Sequence, residues 1–533
     1  FQASMTGSPF AAGATAYFVA QGDFDGVNGL DMVVVNRGAG TVSLFLNNGA
    51  GSYNAPTTFG AGTTPECVSV GDVDGVNGPD IIIGYNGSQN VAVWLNNGSG
   101  GFTGGSTYGT SGGVNSAAVV DIDGDGDLDI VTANINGSQV SVLFNNGSGV
   151  FGGLTNYTIG TNPRSVAAGD FDNDGDIDLA FAPSGAGINN VGIMLNSGYG
   201  TFAPVVNYAV GASPSFVVAG AIDANNSLDL AVGYLGGTVV STLMNSGTGT
   251  FGAAANYTAG TTPQGVALGD VDGDGDLDLV SANSGTNDAS VLLNNGSGVL
   301  GVASNYAVGV NPRMPVLGDV DGDGDLDMAV INQTPNNVSV LLNIASMTVL
   351  GNVPPFTPRP TTTPLMNTMN VTVGSNIVIP FSQTLSAPTV NATNFRVHGG
   401  FTGLKAATYA AAGATATVTP TQPFRSGEQV FVTVTNATSS GGTATRPFVM
   451  SVRTAASFGP ATFYPTNVLP KIDNNGFAAT DVGDLDGDGD LDIVSTNAAG
   501  LAVHLQTGVN TGVFALSAPF GWGAGSGAQA RTL

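Results

Sequence analysis

One acidic nine-residue stretch recurs along the chain, most plainly as Asp270-Val-Asp-Gly-Asp-Gly-Asp-Leu-Asp278. Side-chain oxygens at the first, third, fifth and ninth positions, with a glycine at the sixth, can wrap one hard cation in a tight turn. This is calcium chemistry. The ion takes about six to eight oxygen ligands at ~2.3–2.6 Å, and alternate aspartates supply them while the glycine permits the bend. Five stretches carry every acidic position: Asp121, Asp123, Asp125, Asp127 and Asp129; Asp170, Asp172, Asp174, Asp176 and Asp178; Asp270, Asp272, Asp274, Asp276 and Asp278; Asp319, Asp321, Asp323, Asp325 and Asp327; and Asp484, Asp486, Asp488, Asp490 and Asp492. Without a cation, so many neighbouring carboxylates would repel one another strongly.

Three further copies are altered. In the first two, Val27 and Val76 take the fifth position and Asn28 and Asn77 follow, leaving Asp23, Asp25 and Asp31, and Asp72, Asp74 and Asp80, as weaker ligand sets. Another copy begins with Ala221 and keeps Asp223, Asn225 and Asp229; it is expected to be empty or weak. The expected cofactor is therefore Ca²⁺, at five strong sites and two weaker ones.

The elements that must hold these loops repeat with them. The first positions Asp23, Asp72, Asp121, Asp170, Ala221, Asp270 and Asp319 are 49, 49, 49, 51, 49 and 49 residues apart, which marks an array of one supersecondary unit. Each unit reads as a short apolar strand (Val266 to Leu268), the acidic loop, a second strand (Leu277 to Ala282), an alternating strand (Ser290 to Leu293), an Asn-Asn-Gly-Ser-Gly turn and a weaker strand (Asn305 to Val308). Asn-Gly between apolar runs is a hairpin signal, because its turn needs positive φ at both central residues. Four antiparallel strands per repeat describe β-propeller blades. Only two lysines and two glutamates occur among 533 residues, so strong helix formers are scarce and an all-β fold is expected.

The phrases Gly269-Asp-Val-Asp-Gly-Asp-Gly-Asp-Leu-Asp-Leu279 and Leu293-Asn-Asn-Gly-Ser-Gly298 resemble the FG-GAP and VCBS repeats also found in the propeller of integrin α chains. The resemblance spans about residues 1–347 and 458–533. It implies a seven-bladed ring with calcium held between the first and second strands of blades. The seventh unit lacks its turn and fourth strand, while residues 1–13 form a spare strand. That strand is expected to complete blade seven and remove the exposed sheet edges.

Pro354, Pro355, Pro358 and Pro360 then mark a stiff linker over 348–360. In residues 361–455 the acidic loops vanish, and Val378-Ile-Pro-Phe-Ser and Gly427-Glu-Gln-Val-Phe-Val-Thr-Val434 resemble the bacterial Ig-like domain of S-layer and adhesin proteins. This implies a β-sandwich used as a spacer or adhesion module. Residues 456–533 return to the propeller unit once. A lone blade cannot bury both its faces, so pairing outside this chain, within a further ring or a neighbouring subunit, is favoured over an eighth blade.

Composition narrows the function. A net charge of −27 leaves nothing to neutralise phosphates, which excludes nucleic acid as a partner, and 33 of the 36 aspartates lie in the loops, so the acidity is ligand charge. One cysteine, Cys67, allows no intramolecular disulfide. No apolar run approaches the ~20 residues of a membrane helix. Phe1 in place of Met reads as a mature product whose export signal has gone, placing the protein outside the cell or on its surface, where millimolar calcium fills loops of this kind.

Catalysis finds little support, since no histidine precedes His398 and the only acids outside the loops in the propeller are Glu66 and Asp288. A binding surface is suggested instead by Tyr17, Glu66, Asn115, Arg164, Ser215, Gln264 and Arg313, each six residues before a loop's first position. Their equivalence places them in a ring about the axis, on the face opposite the calcium loops. The resulting reading is an extracellular, calcium-stabilised structural or adhesive surface protein, with a self-assembling fibre as one form, partnered by itself, by other surface proteins or by glycans. A carbohydrate-binding lectin using the ring face is the alternative, and a polysaccharide-degrading enzyme stands third. The chain also holds 13 Asn-x-Ser/Thr sequons, several doubling as hairpin turns.

Overall fold

The computed structural model describes residues 1–343 apart from 2, 5–7, 50–51 and 186, residue 362, residues 374–454 apart from 426, 436 and 443–447, and four strands within 479–521. The Pro-rich stretch at 348–360 lies outside the described residues, as do Asp484, Asp486, Asp488 and Asp490. Two compact units are present, residues 1–457 and 458–533.

Sheet six shows how the repeat folds. Pro263–Gly269, Asp278–Asn283, Asp288–Leu292 and Ser304–Ala307 pair antiparallel in that order. Every residue of the second strand is buried, because neighbouring sheets cover both its faces, whereas the fourth strand is mostly exposed. A strand apolar on both faces is what burial between two layers requires. The inner strand begins at Pro263, earlier than the apolar run Val266 to Leu268 suggests.

Seven such sheets lie between Ala3 and Leu342. The seventh consists of Val310–Gly318, Asp327–Thr334 and Asn337–Leu342, and the N-terminal strands Ala3–Ser4 and Phe10–Ala11 pair with its last member, Ala3 opposite Leu342 and Phe10 opposite Val338. An apolar core fills each junction between sheets. The junction of sheets seven and one holds Phe10, Val19, Met32, Phe45, Val338 and Val340, so the ring closes on itself.

Asparagines bolt the ring together. Asn294, the first residue of its turn, donates from its backbone N–H to Asp278 Oδ1 (2.8 Å) and from Nδ2 to Leu277 O (3.1 Å) and to Ile222 O of the preceding sheet (2.6 Å). Asn47 makes the same link from sheet one to Val320 O of sheet seven (2.8 Å), and Asn343 from sheet seven to Val271 O of sheet six (2.6 Å). Asn96, Asn145, Asn196 and Asn245 complete the set. The turn asparagine is thus also an interblade clasp, a role its hairpin chemistry does not reveal.

The second part of the first unit is a β-sandwich. Ile377–Pro380, Thr415–Pro420 and Ala407–Ala412 form one sheet; Gly403–Leu404, Phe395–Gly399, Gln429–Val434 and Phe448–Arg453 form the other. Their inward residues, among them Ile379, Phe381, Phe395, Val418, Val432 and Met450, share one core. In the second unit, Ala479–Gly483, Asp492–Asn497, Gly500–Gln506 and Phe514–Gly521 form one four-stranded antiparallel sheet. Among the described residues no helix is long and apolar enough to cross a membrane.

Replacing Asn294 by leucine removes donors from two buried carbonyls, at a cost of about 2 kcal/mol. Val302→Ala, at a 96% exposed position of the same unit, is expected to stay within about 0.5 kcal/mol of the parent. Urea denaturation distinguishes the two, and equal stabilities would refute the clasp.

Candidate metal centres and the axial ring

Each acidic loop begins where an inner strand ends, and its ninth residue opens the next strand. Asp278 is fully buried, and its two oxygens accept from Asn294 N (2.8 Å) and Val271 N (2.9 Å). Asp270 receives Gly273 N on Oδ1 (2.8 Å) and Gly275 N on Oδ2 (2.9 Å), which curls the loop around its first carboxylate. Gly275 holds φ +96°, a region that favours glycine, and a Cβ there would lie 2.6 Å from Arg396 Cδ, so the arginine would have to shift. In the altered copies, Asn28, Asn77 and Asn226 occupy this turn at φ 67°, 66° and 69°. Asparagine is among the few side chains that tolerate that region.

The carboxylates at positions one, three and nine gather within 4.8 Å in Asp121/Asp123/Asp129, Asp170/Asp172/Asp178 and Asp270/Asp272/Asp278. They gather equally in Asp23/Asp25/Asp31 and Asp72/Asp74/Asp80, so valine at the fifth position does not open those two loops. Asp319 and Asp327 bind their own loop and strand as Asp270 and Asp278 do. Position-five carboxylates, such as Asp125 and Asp274, accept the backbone N–H of position seven. In the loop that begins with Ala221, Asn225 turns its amide into the site, donating to Asp223 Oδ2 (3.3 Å) and Asn245 O (2.7 Å). An amide donor there does part of what a cation would do.

The donor set fits calcium. Desolvation, aided by neighbouring aspartates, pushes Asp80, Asp129, Asp278 and Asp327 up to about 8, and Asp270 and Asp319 up to about 7. Asp170 Oδ1 is buried without a hydrogen-bond partner. Carboxylates so crowded and dehydrated are stabilised by a divalent cation, which supplies the missing charge and takes oxygen ligands.

The loop face is covered by the β-sandwich, which sequence reasoning did not anticipate. Thr433 Oγ1 donates to Asp270 Oδ2 (2.7 Å), Arg396 pairs with Asp276, and His398 Nε2 meets Gly275 O at 3.0 Å. Asp170 N donates to Phe401 O (3.0 Å), and Val449 N to Gly324 O (2.7 Å). Three acidic loops therefore serve as the seat of the sandwich. The opposite charges at Arg396 and Asp276, and at Arg425 beside Asp170, are the parts of this seat for which the sequence carried a charge signal.

The ring residues lie at the far ends of the same inner strands. Tyr17, Glu66, Asn115, Arg164, Ser215 and Gln264 each fall at a break in strand register, the extra residue of a β-bulge; Arg313 lies within a similar break. A bulge re-aims its side chain, and here five of the six line one small axial cavity together with Arg313. All but Glu66 line it. Many of their polar groups are committed to neighbours, while Asn115 Oδ1 and Arg313 Nε are buried without a hydrogen-bond partner. Arg313 and Arg37 stack on the Tyr17 ring (4.2 and 5.0 Å), and Arg37 pairs with buried Glu66 at 3.0 Å. Asn115 Nδ2 donates to Arg164 O (2.7 Å), and Ser215 Oγ to Gln264 O (2.7 Å). The ring is a belt from blade to blade.

An all-β propeller with repeated acidic cation loops, seated against an Ig-like sandwich, is the class that fold and site define. A profile of FG-GAP-like repeats matches residues 77–132, 121–181, 222–281 and 270–330, and a bacterial Ig-like domain matches residues 358–454. The chain carries FG-GAP-like repeats and a bacterial Ig-like domain. No curated protein matches it. Similar solved structures include an Agrocybe aegerita lectin that recognises non-reducing terminal N-acetylglucosamine (20% identity, 60% of this chain and 86% of that one, TM-score 0.42). A Lactobacillus plantarum protein (14%, 57% and 88%, 0.44) and a putative 6-phosphogluconolactonase from Bacteroides fragilis (16%, 57% and 87%, 0.44) are also similar. At these scores they carry no functional argument, and the fold rests on the chain's own strand pairing.

A carboxylate whose folded pKa lies above its unfolded value of about 4 stabilises the fold while protonated; that contribution is full below about pH 4 and lost as pH rises through about 8. In chelator, the melting temperature is therefore expected to be higher at pH 5 than at pH 8, and millimolar calcium at pH 8 should raise it by several degrees. A chelated protein equally stable at both values would refute the assignment. Chelation should also increase amide exchange in Phe395–Gly399 and Phe448–Arg453, the strands seated on the loops; unchanged exchange there would separate the seat from the metal.

Proposed function

We propose that the protein is an extracellular, calcium-stabilised adhesive or structural surface protein, with calcium as scaffold. The observation that carries this reading is the outer rim of the ring. The outermost strands Thr57–Gly60, Phe102–Gly109, Phe151–Thr158, Val206–Ala209, Ala255–Thr258 and Ser304–Ala307 contain no charged residue. Exposed strand edges are usually defended by charge or proline, and an undefended edge favours association. Leu154 and Val206 add exposed apolar groups on two of these strands, at 45% and 51% exposure.

The remaining polar groups support a scaffold. Glu66 is held by Arg37, Asp288 accepts from Asn283 Nδ2 (2.7 Å), and buried Glu428 accepts from Phe401 N, Thr402 N and Arg425 N. The ring cavity measures about 50 Å³, well below the ~300 Å³ at which small-molecule sites begin, which favours adhesion over sugar recognition at that place. The C-terminal sheet is the element offered for self-assembly. In its sequence Gly508 stands sixteen residues after Asp492, where the spacing of the other units puts a clasping asparagine.

Light scattering of the full chain in millimolar calcium should show polymers growing with concentration, and Leu154→Lys with Val206→Lys should suppress them several-fold. A strictly monomeric protein that binds a glycan array through Arg164 and Arg313 would overturn the proposal in favour of the lectin reading.

A further inference from the structure

A chamber of about 370 Å³ lies on the propeller axis where the sandwich covers it. Phe18 and Met314 line both this chamber and the ring cavity, forming the partition between them, and Phe216 approaches Phe18 with ring centroids 6.3 Å apart. On the loop side the sandwich contributes Gln429, Phe431, Ser451 and Arg453. Most of the wall is apolar, from Val70, Val218, Val266, Leu268 and Leu317. The volume and lining are those of small-molecule sites, which are about 300–1,000 Å³ and apolar with a few convergent polar groups.

Two of the polar groups lack matching partners. Arg453 Nη1 donates to Val70 O at 2.9 Å, and among the described residues no carboxylate lies within ion-pair distance of its guanidinium. Burial lowers Arg453 only to about 10, so it remains charged at neutral pH. Gln21 Nε2 is buried with no hydrogen-bond partner. Arg453 is half-buried, a cation drawn out of bulk water is normally paired, and a guanidinium takes a carboxylate well because its fork of N–H donors matches two oxygens. One guanidinium amid apolar walls suits a monoanion; a multiply charged anion would lack counter-charge and would face the acidic loops.

We propose that the chamber is a binding site for a small monocarboxylate with an apolar body, its carboxylate held by Arg453 with Gln21 as a further donor and its chain lying against Val70, Val266 and Leu268. The site exists only when the sandwich is seated, because Arg453 comes from the sandwich and the apolar wall from the propeller. It is independent of the adhesive reading of the rim.

The test titrates octanoate, octanol and octylamine into the full chain in millimolar calcium by calorimetry. Saturable binding of one octanoate, at least tenfold tighter than octanol and with no octylamine binding, is expected. Arg453→Met should abolish the preference for octanoate over octanol. Ala267→Leu, which adds bulk at the chamber wall and leaves Arg453 in place, should weaken octanoate at least tenfold while circular dichroism and the calcium-dependent melting temperature stay at parent values. No octanoate binding to the parent, equal affinity for octanoate and octanol, or full octanoate affinity in a folded Ala267→Leu variant would each overturn the proposal.

Discussion

The structure depends on a buried carboxylate that closes a loop and starts a strand at the same time. In each of the seven units between Ala3 and Asn343 the ninth loop residue accepts at least two backbone N–H groups, one from its own loop and one from the turn asparagine 16 or 18 residues on. That asparagine then reaches the neighbouring sheet. Loop geometry, strand start and blade junction are therefore one hydrogen-bonded network, and such networks are costly to leave part-satisfied. A cation held by such a loop would act on all three at once, by offsetting the repulsion and dehydration of the carboxylates.

The same loops carry a second load. Because the sandwich is seated on Asp170, on the stretch from Asp270 to Asp276 and on Gly324, the loop face is an internal interface. The far face is closed differently: bulges turn Tyr17, Glu66, Arg164 and their equivalents toward the axis, where they brace one another. Among the described residues both ends of the axis are thus taken up by structure, and the two proposals rest on the rim of uncharged strands and on the axial chamber.

Periodicity made much of this legible. The 49-residue repeat, the acidic spacing and the Asn-Gly turns specify short antiparallel strands joined by cation loops, because each signal is local: alternation, turn chemistry and ligand spacing act over fewer than ten residues. The gathering of carboxylates at Asp121, Asp170 and Asp270, the pairing of the N-terminal strands with Asn337–Leu342 and the sandwich over 377–453 could be read in that way.

What the linear chain could not disclose is what each residue does across a junction. Asn294 looks like a turn residue until Ile222 O is seen 2.6 Å away; Arg313 looks like a free ligand group until it stacks on Tyr17; Arg453 looks like an ordinary strand end until the propeller wall surrounds it. These pairs are separated by 72, 296 and up to 435 residues, so no local pattern encodes them. Local chemistry set by the sequence determined the strands, the turns and the acidic loops; only tertiary packing decided which faces remained open, because burial depends on what is brought alongside.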